Sequence, residues 1–390
     1  MMIALILLTL TLIYALFIAL MCLGLARLKP VAVNGSRPFV TVIVPARNEE
    51  ATLPYLLDSL ACQSYPRELY EVVVINDHST DETRQVAAGY ASNHQNIRVF
   101  DLHDLAKNSS PKKLAIAQGI IRSKGEIILT TDADCLVPQR WIEILVGHFG
   151  ENTGAVMSWL QIKSRASLLN RIDAMDSFAL VLIGAGAVGL GLPFVANAAN
   201  FGYRKKVFEE VNGFQGIEQF VSGDDDLFLL KMRRKTNWQV AFANDPAACV
   251  WTRPASTWKH FFSQRIRWAS KGTIYPLLLQ TLELTIYGYY AVLVLMPLLA
   301  LVKPSLLFFF ITSFTVKVLL DGHLLRSGHK QLGRKWNYLD FLIGEGFNMA
   351  YILFVGIAGM FGKFQWKDRT YYRGKVMSRE TEAEVEKSSM

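Results

Sequence analysis

Cysteine is scarce in this chain: Cys22, Cys62, Cys135 and Cys249 are the only four among 390 residues. No two form a C-x-x-C pair, so the sequence offers neither a zinc ribbon nor a disulfide scaffold and suits a reducing cytosol. A G-x-x-x-x-G-K-[ST] loop is also missing, and with it the usual cradle for a nucleoside triphosphate. The net charge of +8 comes without a nucleic-acid-binding motif. Lys and Arg crowd instead beside apolar segments, at 326–335 and 363–375, where anionic lipid headgroups are the natural counterpart. Charge is absent altogether from residues 2–26.

That run exceeds the roughly 20 residues needed to span a bilayer core, and Arg27 and Lys29 follow it. A cleaved signal peptide would carry its positive charge before a shorter apolar core. Residues 1–28 are therefore expected to be a membrane anchor with the next segment in the cytoplasm. The hydrophobic content of 51% is high for a wholly soluble chain. Further apolar stretches at 276–302, 304–325 and 339–361 approach spanning length, the second carrying Lys317, Asp321 and His323 and the third Glu345. Three crossings would put the basic tail outside, against the positive-inside rule. Either one stretch is re-entrant or interfacial, or the tail is an exception. The glycine-rich apolar run at 178–195 is expected to be a buried or membrane-abutting part of the cytoplasmic domain, since a crossing there would split that domain. From 377 onward the chain is polar, without periodicity.

Between 37 and about 152, short β-branched runs alternate with helical stretches, which predicts βαβ units and a mainly parallel sheet. Strands are expected at 39–44, 71–76, 96–100 and 126–130, with helices at 51–64, 81–92 and 112–122. Ligands of such sheets bind beyond the carboxyl ends of the strands, and three polar clusters fall there: VPARNEE at 44–50, INDHSTD at 75–81 and TTDADC at 130–135. On an extended segment Asp132 and Asp134 would project to one side and share a hard divalent cation, Mg²⁺ or Mn²⁺, with a diphosphate. Asp77 would accept hydrogen bonds from a base or ribose; the plainer alternative is a helix N-cap. Later come SGDDDL at 222–227, whose adjacent carboxylates should raise at least one pKa by mutual repulsion, and QRIRW at 264–268. Helical i, i+3, i+4 spacing puts Gln264, Arg267 and Trp268 on one face, within a segment whose Trp258, Phe261, Phe262 and Ile266 suit an amphipathic helix at a membrane surface.

Taken in order, these clusters resemble the family 2 glycosyltransferases of GT-A fold, and QRIRW resembles the Q-x-x-R-W of the membrane branch that includes cellulose, chitin and hyaluronan synthases. The resemblance covers roughly 39–272. It implies that Pro45, Ala46 and Glu49 surround the uridine of a nucleotide-sugar donor. INDHSTD is similar to VDDGSTD, with Asn76 for the first Asp and His78 for the Gly; Asp77 carries the nucleotide contact, and the turn loses a residue tolerant of positive φ. PKKLAIAQGI resembles GKAxALNxG, which implies that Lys113 approaches the diphosphate. In TTDADC, Asp134 would bind the metal and Asp132 the ribose or metal-bound water. NAANFGYRKKVFEEVNGF resembles an acceptor-side segment, with Asn200 and Arg204 at its polar positions. Asp225 matches the base that deprotonates the acceptor hydroxyl, Asp224 its acidic neighbour, while Arg267 would neutralise diphosphate and Trp268 offer a platform to the acceptor sugar.

The expected organisation is an α/β GT-A fold flanked by transmembrane helices: anchor 1–28, cytoplasmic catalytic domain 37–255, interface helix 256–275, transmembrane segments 276–362, and a basic then polar tail 363–390. The implied activity is inverting, metal-dependent sugar transfer from a UDP-sugar to a saccharide or lipid-linked acceptor at the inner membrane, by polymerisation or single transfer. A nucleotidyltransferase would need a triphosphate-binding element, and a non-catalytic subunit would be expected to have lost Asp134, Asp225 or Trp268.

Overall fold

A computed structural model describes residues 2–28, 35, 37–103, 109–163, 167–361, 363–366, 369–372 and 375–376. Lys29 and the polar segment 377–390, both named above, lie outside them. Helix α1 (Met2–Arg27) comes first. The α/β domain follows with β1 (Val40–Ala46), α2 (Leu53–Ala61), β2 (Tyr70–Asn76), α3 (Thr83–Asn93), β3 (Ile97–Asp101), α4 (Pro111–Arg122), β4 (Ile127–Thr130), α5 (Trp141–Gly147) and β5 (Thr153–Ser158). It continues through β6 (Leu160–Ile162), α6 (Leu168–Gly189), β7 (Phe201–Arg204), α7 (Lys205–Glu210), α8 (Asp226–Lys235), β8 (Gln239–Ala243), β9 (Val250–Thr252) and α9 (Trp258–Ala269). Then come α10 (Leu277–Ala300), α11 (Leu306–Gln331), α12 (Tyr338–Phe361) and an antiparallel trio, β10 (Lys363–Trp366), β11 (Arg369–Tyr372) and β12 (Lys375–Val376).

The main sheet has seven strands in the order β3-β2-β1-β4-β7-β5-β8. All its pairings are parallel except those of β7 with β4 and β5. Strands β1, β2 and β4 are buried almost throughout, as their near-continuous Val and Ile runs require of a sheet covered on both faces. Helix α2 buries Leu53, Leu56, Leu57 and Leu60, an i, i+3, i+4, i+7 stripe turned to that core. The chain leaves β1 and β4 on opposite sides, and the crevice this opens at their carboxyl ends positions the site.

Five helices, α1, α6, α10, α11 and α12, are long and apolar enough to cross a membrane. Helices α1 and α11 run parallel, since Tyr14 hydrogen-bonds Asp321 at 2.7 Å and Gln331 donates to the Leu25 carbonyl at 3.1 Å. Helix α10 runs the other way, its Tyr289 hydroxyl donating to the Ser313 carbonyl. Helix α6 leaves the domain after β6 and returns at its end to the base of α1. There a Cβ on Gly24 or Gly189 would meet the partner helix's backbone, so only glycine permits the contact.

Helix α12 also keeps to one side. It starts with an Asp340–Arg171 ion pair at 3.2 Å, then follows α9: Phe347 packs on Trp258, Tyr351 on Phe261, Phe354 on Phe262, and Gly359 on Ala269. Both ends of α12 thus lie against the domain's flank. The segment expected as a tail instead forms β10–β12 over part of its length, and returns to the domain through a bridge between Phe220 and Lys375. Tyr371 is buried beside Val221.

Candidate active site

A cavity of about 780 Å³ opens at the carboxyl ends of β1, β2 and β4 and continues down among α1, α6, α10 and α12. Pro45, Ala46, Glu49 and Asp77 line its upper end. The backbone N–H of Glu49 donates to Thr83 Oγ1 at 2.7 Å, which ties the first cluster to α3. Asp77 is not the cap of α3: Asp81 accepts from the Thr83 N–H at 3.0 Å and holds that end. His78 adopts φ 53°, so the turn keeps the left-handed conformation at a residue that must strain to hold it.

The D-x-D pair lies on a turn rather than an extended segment, because β4 ends at Thr130 and the Cys135 N–H closes back on the Asp132 carbonyl at 3.0 Å. Asp132 and Asp134 both still line the cavity. Lys112 Nζ bridges Asp132 at 2.8 Å and Asp224 at 3.0 Å. Burial alone would lower this ammonium, but Asp132 and Asp224 outweigh it and hold the group above its ordinary value.

Lys113, the lysine expected at the diphosphate, points elsewhere. Successive helix positions are about 100° apart, and its buried Nζ donates to the carbonyls of Ile217, Phe220 and Ser222 at 2.7–2.8 Å. Burial pushes it down to about 8. It fixes the loop before the acidic cluster, whereas Lys112 is the residue that faces the cavity. The signal for Lys112 was in the register: in GKAxALNxG the lysine precedes the last glycine by seven residues, and Gly119 minus seven is 112.

Gly223 has φ 88° and no room for a side chain against Leu227, which turns the chain so that three successive carboxylates diverge. Asp224 meets Lys112. Asp225 caps α8, accepting from the Asp226 N–H at 2.7 Å and the Ala198 N–H at 3.1 Å. Asp226 accepts from Lys271 and from the Tyr275 hydroxyl at 2.6 Å. Burial, then the charge of Asp226, raises the Asp225 carboxyl above the usual range.

On α9, Gln264, Arg267 and Trp268 line the cavity. Arg267 donates to Ser222 Oγ at 3.4 Å; burial lowers its guanidinium, against the pull of Asp224, Asp132 and Asp225. Between them sits Arg265, which the motif does not single out. Its guanidinium bonds Asp173 at 2.7 Å and Asp176 at 2.5 Å and lies 4.3 Å from the centre of the Trp268 ring, which holds the indole against the cavity wall.

Asn200 and Arg204 are not in the cavity. Asn200 is buried and bonds the carbonyls of Trp159 and Ala248 and the Trp141 indole N–H. Arg204 bonds the carbonyls of Thr153 and Gly150. Both side chains pin the antiparallel strand β7 to its surroundings.

The upper end of the cavity is short of positive charge: Glu49, Asp77, Asp132, Asp134, Asp224, Asp225 and Asp226 outnumber Arg47, Lys112, Arg253, Arg267 and Lys271. Among the described residues no three His, Cys, Asp or Glu converge as a ready-made metal cage. A hard cation held by one or two carboxylates and completed by phosphate oxygens and water fits this donor set and its negative surplus.

Residues 41–211 match the family described as Glycosyl transferase family 2, and residues 127–320 match Glycosyl transferase family group 2. The chain carries a family 2 glycosyltransferase domain. It is 26% identical over 245 residues to the probable glycosyltransferase YdaM of Bacillus subtilis, a match spanning 62% of this chain and 56% of that protein. It is 37% identical over 125 residues to the beta-monoglucosyldiacylglycerol synthase of Nostoc sp., spanning 32% of this chain and 26% of that one. The fold resembles the mannosyltransferase PcManGT of Pyrobaculum calidifontis, solved in complex with GDP-Man and Mn²⁺, with a TM-score of 0.55 at 19% identity, covering 92% of this chain and 98% of the other.

Proposed function

We propose that the protein is a membrane-bound, inverting glycosyltransferase that moves a sugar from a nucleotide sugar, a UDP-sugar by family resemblance, to a saccharide or lipid acceptor. The observation that carries this reading is the meeting of four separate segments, at Asp77, Asp132–Asp134, Asp224–Asp225 and Arg267–Trp268, around one cavity. Pro45, Ala46, Glu49 and Asp77 receive the nucleoside. Asp134, with Asp132, would hold a divalent cation, which when bound supplies positive charge to the departing diphosphate. Lys112 and Arg267 add to it from either side. Asp225, oriented by two backbone N–H groups and raised by burial, takes the acceptor's hydroxyl proton as the new bond forms. Arg265 keeps the Trp268 ring in place for the acceptor.

In this reading α1, α10 and α11 cross the membrane, whereas α6, α9 and α12 pack against the cytoplasmic half of that bundle, α12 reaching in to pair Glu345 with Lys317. Three crossings with an outside N-terminus keep the catalytic domain and β10–β12 together in the cytoplasm, in agreement with the positive-inside rule. The test is to incubate detergent-purified protein with a panel of radiolabelled nucleotide sugars, with Mn²⁺ or with chelator, and measure nucleoside diphosphate release. One or more donors should be turned over only with the cation, and Asp134→Ala should abolish release. No release from any donor, or full release by the variant, would remove the assignment.

A further inference from the structure

The lower arm of the cavity belongs to no part of the donor site. Its walls are mostly apolar, with Phe17 and Ile18 of α1, Ala179 and Ile183 of α6, and Leu282 and Ile286 of α10, while Glu283 and Tyr287 of α10 and Asn348 of α12 stand among them. Along α10 it runs from Leu279 to Tyr290, about 16 Å at 1.5 Å per residue, which is about half the thickness of a bilayer core.

Its floor is closed. Tyr14 bonds Asp321 at 2.7 and 2.9 Å and stacks on Tyr289 with ring centres 4.9 Å apart; Lys317 reaches Asp321 at 2.8 Å and also pairs with Glu345. These contacts lash α1, α10, α11 and α12 together midway along α1, α10 and α11. Beyond them Leu7, Leu293, Met296 and Ser313 are fully buried, so among the described residues the helices pack without a passage. A growing polysaccharide leaving through the membrane needs a way out, and this arm has none. A single hydrocarbon chain entering from the cytoplasmic leaflet needs only length and mostly apolar walls.

We infer that the arm is the binding site for the hydrocarbon chain of a lipid acceptor, whose polar end then presents its nucleophilic oxygen to Asp225. This rests on the glycosyltransferase reading and narrows its acceptor to a lipid of the cytoplasmic leaflet. Each methylene group drawn into the arm should tighten binding roughly fourfold, until the floor at Tyr14 stops the chain.

The test uses full-length protein in lipid nanodiscs and a dodecyl glucoside carrying a photoactivatable diazirine on its chain. Light should label peptides of α1, α6 or α10 that face the arm; unlabelled dodecyl glucoside should compete, and butyl glucoside should not. Ala179→Trp and Leu282→Trp, two independent ways of filling the arm, should each cut this labelling at least tenfold. Leu298→Trp, at an exposed position on α10 beyond the floor, should leave it intact. In parallel, a labelled donor supplied with a total lipid extract should give an organic-soluble product. Labelling that does not compete, labelling unchanged in both filled variants, or label found only in a water-soluble polymer would overturn the inference. Release of nucleoside diphosphate in any of those cases would leave the glycosyltransferase reading standing, and its absence with every donor would remove both.

Discussion

The two ends of the cavity handle charge differently. At the donor end carboxylates outnumber cations, and Lys112 is stretched between two acids that it cannot both neutralise. At the membrane end Arg265 and Lys317 also face two acids each, but other protein donors complete those sets: Tyr351 bonds Asp176, the Ala255 N–H bonds Asp173, and Tyr14 bonds Asp321. The difference separates function from support. A charge cluster with a surplus awaits a ligand of opposite sign, whereas a closed cluster in an apolar setting fixes the helices that carry it.

The sharpest way to break this comparison is to alter one acid at each end. Asp225→Asn should lower kcat by roughly 10²–10⁴-fold, the range for a lost general base, with little change in Tm. Because this carboxyl lies above its ordinary value, activity of the native enzyme should fall away as pH drops through that raised pKa. The acid limb of kcat/KM should therefore stand above the usual aspartate range; a limb at that range would contradict the role. At the membrane end, Lys317→Met should cost about 3–5 kcal/mol by leaving two acids buried without their cation, read as a lowered unfolding temperature in nanodiscs.

The paired lysines of α4 sharpen the same contrast on a smaller scale. Lys113 binds its proton more weakly when folded, at about 8, than when unfolded, at 10.5. Between those values the unfolded chain holds more protons, so stability should rise with pH by about 3 kcal/mol. Lys113→Met should erase that rise, and an unchanged profile would show that the lysine is not buried as described. The smallest effect belongs to Lys112→Ala. Relieving Asp132 of its lysine should lower the metal concentration needed for half activity, while loss of a diphosphate counter-charge raises the donor KM, each by roughly fivefold. Equal movement of both in one direction would count against its place between acid and phosphate.

Much of the donor end was legible in the sequence because it is built from local signals. The four expected strands lie within two residues of β1–β4, since strands buried on both faces write continuous Val and Ile runs. The polar clusters follow them directly, so strand order placed Asp77, Asp132 and Asp134. Where neighbouring residues of one type differ only in helix phase, as at Lys112 and Lys113, composition could not say which faces inward; only the count from Gly119 could. Asn200 and Arg204 looked functional because buried polar residues serve packing and chemistry alike. Strand β7, which they secure, is four residues long and antiparallel, and the βαβ pattern gives no hint of it. Hydropathy found all three C-terminal apolar helices, but length alone cannot tell a helix that crosses from one that does not. In the proposed topology α12 does not cross, because Asp340 at one end pairs with Arg171 and Gly359 at the other packs on Ala269.

The most direct test of the central claim is anomalous diffraction at the manganese edge from crystals grown with Mn²⁺ and a nucleoside diphosphate. The account predicts a peak within bonding distance of Asp134, phosphate oxygens completing its shell, and Lys112 moved off Asp132 toward the diphosphate. A peak elsewhere, or a bound nucleotide with no metal and the Lys112 bridge intact, would contradict it.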